Sequence, residues 1–201
     1  FEVLIGSIVN ELYNKAEIPA EKIARIAQFA ENKFFGKPCG LMDQTASAIG
    51  GILEIDFADP AGINFEKVSF DMENTGYVLC VVNTGSSHAD LTADYASIPE
   101  EMKAVASLMG AELLQELGES KFRQNLNYIR SELGDRAIQR GLHFFSENKR
   151  VDQMVAALKG GDFETYLQKV AASGVSSQNL LQNTVPLKND GKEQGLALAL
   201  G

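Results

Sequence analysis

The stretch AENKFFGKPCGLMDQTASAIG, residues 30–50, decides how the rest of the chain is read. It opens on the end of a helical pattern, is interrupted by Gly36 and Gly40, and closes on Gly50 with Gly51 next in line. Neither the helical nor the strand period runs through it. Its small residues predict a structured loop leading into a short helix over about 43–48. Glycines there let the backbone approach a ligand closely or turn sharply. Asp43 stands where loop meets helix. There it either orients a hydroxyl and accepts its proton or caps the helix. Glu31, on the last turns of the helix before the loop, either reaches a hard divalent cation beside a phosphate or lies on a solvated helix face.

Upstream, Val3, Leu4, Ile8, Leu12 and Tyr13 fall near helical spacing and predict a buried helix from Glu2 to about Asn14. A second helix begins near Pro19, which the first helical turn accepts. It carries Ile23, Ile26, Ala27, Ala30 and Phe34 on one stripe and ends at Gly36 with Pro38. Downstream, GILEIDF (51–57) and INFEKVSF (63–70) read as strands joined by a DPAG turn. YVLCVVNTG from Tyr77 is nearly all apolar, as a central strand covered on both sides would be. Residues 91–117, 122–129, 135–158 and 163–172 are helix-patterned, with breaks expected at Pro99, Gly118, Gly134 and Gly160–Gly161. The polar interval SENKR, 146–150, reads as a helical bend or a loop. The expectation is an α+β fold, with a few antiparallel or mixed strands followed by a mainly helical half. No GxGxxG follows a strand, which argues against a Rossmann unit, and no GxxxxGK[ST] loop is present.

The 201 residues suit one substantial domain, and 45% hydrophobic with 22% charged residues is ordinary globular composition. Lys and Arg number 18 against 27 Asp and Glu, a formal charge of −9, which argues against a nucleic-acid partner. Cys39 and Cys80 form no CxxC pair and read as reduced thiols. No apolar run is long enough to span a bilayer, so no membrane partner and a cytoplasmic location are expected. Two histidines and two distant cysteines cannot build a zinc site. Cys39 has no histidine-based activation and is a poor candidate nucleophile. His143, amid Leu142, Phe144 and Phe145, reads as a packed helical residue. The chain starts at Phe1 and stops within the apolar run LALAL, and both ends read as cut.

Residues 30–50 resemble the galactokinase form of the GHMP sugar-kinase pattern, A-E-H-x-F-x-G-x-P-C-G-I-M-D-Q. Glu31, Phe34, Gly36, Pro38, Cys39, Gly40, Met42, Asp43 and Gln44 match at the family's spacing, and the pattern continues into a strand ending in Ile55-Asp56. NTGSSHADLTADY (83–95) and RGLHFFSENKRV (140–151) are similar to two later segments of the family. The resemblance weakens after about Ser173.

It implies an incomplete two-layer GHMP-kinase-like fold, with residues 1–87 the remainder of an ATP-binding catalytic domain and 88–201 a mainly helical C-terminal domain. It implies a galactokinase that uses ATP and Mg²⁺ to phosphorylate O1 of galactose. Asp43 would be the catalytic base, Gly40 and Tyr95 sugar contacts together with Asp43, and Glu31 the metal ligand. The phosphate loop is expected before Phe1, so no nucleotide contact is assigned here and these residues alone are expected to be inactive. His88, which also matches a family position, reads as a loop-shaping residue. Two segments depart from the family, ASIPEEMKAV after Tyr95 and ASGVSSQNLLQNTVPL near the end. They widen the alternatives to a kinase of another hexose or amino sugar. A non-catalytic sugar and ATP sensor of the same lineage is the third.

Overall fold

The computed structural model describes residues 1–36, 39–59, 62–85, 91–186, 191 and 194–200. They fall into two compact units, Phe1–Phe70 and Asp71–Gly201. The boundary expected between 87 and 88 lies outside the described residues, as do Lys37, Pro38 and His88.

The first unit carries helices α1 (Glu2–Asn14), α2 (Ala20–Ala30) and α3 (Met42–Ile49) and a hairpin of β1 (Ile52–Asp56) with β2 (Asn64–Val68). Val3, Ile23 and Ala27 form its buried centre, with Ile18 and Ala48 packed against them. A Cβ on Gly6 would stand 3.1 Å from Ile23 Cγ2, so glycine brings α1 close to α2. The turn between these helices is closed by a buried amide. Asn10 Nδ2 donates to Ile18 O at 3.0 Å, and Asn10 Oδ1 accepts from Ile18 N at 3.1 Å. The expected burial of α1 is corrected: only Val3 and Asn10 are buried, whereas Leu4, Leu12 and Tyr13 are exposed. Within this unit α1 meets α2 and α3 along one side, and one side of a helix buries only part of its apolar residues. The apolar stripe of α2 is likewise split, with Ile23 and Ala27 buried and Ile26 and Phe34 exposed.

The helix does end at Gly36, through a π-helical turn over Glu31–Phe35. Gly36 takes φ 68°, a left-handed conformation that costs glycine no Cβ clash. The strands pair antiparallel, with Ile52 opposite Val68 and Asp56 opposite Asn64. Both strands read from the sequence are thus present. The third is not. Residues 77–83 adopt no strand, and Val78, Leu79 and Val81 are almost fully exposed. A central strand needs hydrogen-bond partners on both edges, and no described segment pairs with this one. An apolar run announces where a strand can form; only neighbours make it one.

The second unit is helical: α4 (Thr92–Leu108), α5 (Leu114–Leu117), α6 (Glu119–Gln124), α7 (Leu126–Lys159), α8 (Phe163–Ser176) and α9 (Gly195–Leu200). Its core gathers Val105, Ala106, Leu114, Leu117, Phe122, Ile129, Ala137 and Phe145. Gly118 and Gly160–Gly161 separate helices as expected, and Gly134 (φ 81°, ψ −178°) breaks the helical path inside α7. Gly141 serves packing instead. A Cβ there would lie 2.6 Å from the Phe122 ring, so the ring rests directly on the α7 backbone.

One expected break is corrected, and one open alternative is decided. Pro99 sits inside α4. Its missing N–H removes one helical hydrogen bond, but Ser97 and Glu101 on either side bind the buried Arg140 of α7, and this holds α4 in line. Residues 146–150 are helical throughout. Glu147 pairs with Arg150 and accepts a hydrogen bond from Ser173 of α8, while Asn148 and Lys149 stay exposed. Among the described residues, no helix is long and apolar enough to cross a membrane.

His143 is packed in α7, as the sequence suggested, and its Nδ1 lies 2.9 Å from Ser176 Oγ. Burial pushes its pKa below the ordinary 6.5; Arg150 pushes the same way, while Glu147 and the Ser176 bond oppose them. The unfolded chain therefore binds the proton more readily. Stability is full above the unfolded value and falls as pH drops through 6.5 towards the lowered folded value. Denaturant unfolding between about pH 7.5 and 5 should show this slope, and His143→Gln should flatten it. An unchanged slope would mean that other groups carry the acid sensitivity.

Candidate functional site

The polar residues of the first unit converge where the end of α2 faces the start of α3. Gln28, Glu31 and Asn32 share one face of the helical path at spacings of three and four residues. All three, with Gln44 from α3, turn towards Cys39. Asn32 brackets the Cys39 backbone: its Oδ1 accepts from Cys39 N at 2.8 Å, and its Nδ2 donates to Cys39 O at 3.4 Å. Gln28 Nε2 donates to the same carbonyl at 3.2 Å. The Cys39 thiol donates to Glu31 Oε2 at 3.3 Å, and Gln44 Nε2 donates to that oxygen at 2.9 Å. These bonds fix the loop just before Gly40 through side-chain amides, because a loop of small residues has no apolar bulk to anchor it. A thiol that donates to a carboxylate is not an activated nucleophile, in keeping with the reading of Cys39.

Glu31 is half-buried rather than on a solvated face. Gly40 is exposed, and a Cβ on it would meet nothing within 4 Å, so the space over its backbone is open. Asp43 is exposed on the first turn of α3. The capping role is excluded: Leu41 holds the N-cap position, and no side chain caps this helix. The Asp43 carboxylate makes no hydrogen bond or ion pair among the described residues. The structure thus brings Glu31, Gly40 and Asp43 into one local region. Tyr95 belongs to the second unit, on the first turn of α4, with its side chain 57% exposed.

The sequence reading singled out Glu31, Gly40 and Asp43 but gave Gln28, Asn32 and Gln44 no role. The regular spacing of Gln28, Glu31 and Asn32 was the available signal. Gln44 matched the family pattern, but its partner was not legible, because only the fold sets α3 against the end of α2. Among the described residues no group of three or more His, Cys, Asp or Glu could hold a metal by itself. The donor set does fit a cation carried largely by phosphates, since Mg²⁺ keeps several waters and takes one or two carboxylates. Glu31 is the residue that would hold it.

Comparison with known proteins places this geometry. Residues 1–51 match the family of GHMP kinases, N terminal domain. The chain is 31% identical over 185 residues to a galactokinase of Actinobacillus pleuropneumoniae serotype 5b, covering 92% of this chain and 47% of that protein. It is 32% identical over 165 residues to a galactokinase of Thermotoga neapolitana, covering 82% and 44%. A crystal structure of Lactococcus lactis galactokinase complexed with galactose superposes with a TM-score of 0.65 at 21% identity, over 92% of this chain and 47% of that one. The chain therefore spans about half the length of the curated relatives it matches. The small antiparallel hairpin, the helical remainder and these matches agree: the chain belongs to the GHMP kinase family.

Proposed function

We propose that these residues form part of an ATP-dependent sugar kinase, longer than the 201 residues, that transfers the γ-phosphoryl group of ATP to O1 of galactose. The observation that carries this reading is the local grouping of Glu31, Gly40 and Asp43. An oxygen ligand, an open backbone edge and an unpaired exposed carboxylate lie on consecutive elements. Phosphoryl transfer needs little more from the protein than an oriented alcohol, a cation on the phosphates and donors at the developing charge. In this assignment Asp43 orients the anomeric hydroxyl and takes its proton, and the Gly40 backbone borders the sugar. Tyr95 donates to a sugar hydroxyl, and Glu31 holds Mg²⁺ from a carboxylate already fixed by two donors. A Mg²⁺ held by Glu31 would supply charge neutralisation to the transferring phosphates. The ATP phosphates themselves would be cradled by residues outside this chain, so the 201 residues alone are expected to show no turnover.

The test is a panel of sugars with ATP and the full-length protein. Galactose should be phosphorylated well ahead of other hexoses and amino sugars. Preference for another sugar would keep the kinase and replace the substrate. Sugar and ATP binding without turnover would replace the enzyme with a sensor. In the same protein Tyr95→Phe should weaken galactose use by about 1–2 kcal/mol and leave KM for ATP near its original value. A parallel rise in both KM values would remove Tyr95 from the sugar site.

A further inference from the structure

Gln44 is 8% exposed, and its Oε1 is buried with no hydrogen-bond partner among the described residues. Its orientation is set by chemistry. The other end of the amide, Nε2, donates to Glu31 Oε2 at 2.9 Å, and reversing the amide would press an acceptor against a carboxylate. A buried carbonyl left unpaired loses its hydration without a replacement and costs the fold stability. For stability alone an apolar side chain of the same length would serve better here. The residue is explained by what its donor end does: with the Cys39 thiol it holds one oxygen of Glu31 from a position shielded from water.

We propose that Gln44 is a positioning residue for Glu31, fixing the carboxylate in the orientation that holds a divalent cation beside the nucleotide. The inference rests on the sugar-kinase reading for the identity of the cation's partner. It adds a residue whose task is orientation and not contact with substrate. A carboxylate on three rotatable bonds must otherwise surrender that freedom when the cation arrives, so prior fixing appears as tighter metal binding.

The experiment uses the full-length protein, with Mn²⁺ as a spectroscopic stand-in and ATP present. Binding is followed by electron paramagnetic resonance beside Tm. Gln44→Met removes both the donor and the orphan acceptor at nearly constant length. It should weaken Mn²⁺ binding at least 5-fold while Tm stays level or rises. Gln44→Leu also removes the donor and adds no charge, and should weaken Mn²⁺ similarly. In steady-state assays the apparent KM for Mg²⁺ should rise more than kcat falls. Unchanged Mn²⁺ affinity in both folded variants overturns the proposal. So does a large loss of Tm in Gln44→Met, which would make Gln44 a structural amide. Wild-type protein that fails to bind Mn²⁺ with ATP would instead sink the kinase reading.

Discussion

Asp43→Asn in the full-length protein is expected to lower kcat by roughly 10²-fold or more, the range of a positioned acid-base group. The amide keeps the shape of the side chain and its ability to lie beside a hydroxyl, but it cannot take the proton. Folding should be almost untouched. Asp43 caps nothing, is exposed, and has no hydrogen-bond or ion-pair partner among the described residues, so what remains is its charge near the start of α3. A negative charge in a first helical turn contributes about 0.3–1 kcal/mol. The measurement is kcat for galactose phosphorylation beside a denaturation curve for each protein. Full kcat in a folded Asp43→Asn variant would return Asp43 to an ordinary surface carboxylate.

The largest stability effect is expected in the helical unit, at Glu101. Arg140 is 1% exposed, yet it carries a guanidinium. Burial pulls its pKa down, and Glu101 is the main group that pulls it back. Arg140 Nη1 lies 2.9 Å from Glu101 Oε2 and donates to Ser97 Oγ at 3.1 Å, while Nε donates to Leu181 O at 3.2 Å. One side chain thus ties α4, α7 and the π-helical turn Ser177–Leu181 together. Glu101 also takes a forked pair of bonds from the more exposed Arg136.

The two partners are not equivalent. Removing Arg140 leaves Glu101 paired with Arg136. Removing Glu101 leaves a buried cation that cannot shed its proton. Glu101→Ala should therefore destabilise by about 3–5 kcal/mol, a Tm loss of roughly 10 °C for a chain of this size. Arg140→Met should cost clearly less. The double variant should recover part of the Glu101→Ala loss, because the stranded charge goes with the arginine. Equal losses in both single variants would show that packing, not charge, dominates the site.

The sequence by itself determined what local rules govern. The hairpin over residues 52–68 follows from two apolar-patterned runs around a turn. The helix ends at Gly36, Gly118 and Gly160–Gly161 follow from a residue that tolerates positive φ, which Gly36, Gly118 and Gly161 adopt. The run from Glu31 to Gln44 carried the family in its side chains and spacing, before any contact was known. Burial was not legible in that way. The helical period of α1 predicts an apolar face but not how much of it a neighbour covers, and Leu4, Leu12 and Tyr13 are left outside. Residues 77–82 are apolar enough for a central strand, but a strand exists only when another backbone answers its hydrogen bonds, and no described one does.

Pro99 and the polar run 146–150 failed the other way. Pro99 looked like a break and 146–150 like a bend or a loop, and each is held in helix by tertiary partners, Arg140 against Ser97 and Glu101, and Ser173 against Glu147. The candidate site divides along the same line. Glu31 and Asp43 were singled out by residue type and position, and Gly40 by the resemblance of residues 30–50 to a family pattern. The contact of Gln44 with Glu31 became visible only when α3 was set against the end of α2, since a hydrogen bond between residues thirteen apart has no signature along the chain. Propensity and turn chemistry act within a few residues of sequence. Burial, ion pairing and the orientation of a carboxylate depend on what the fold brings alongside.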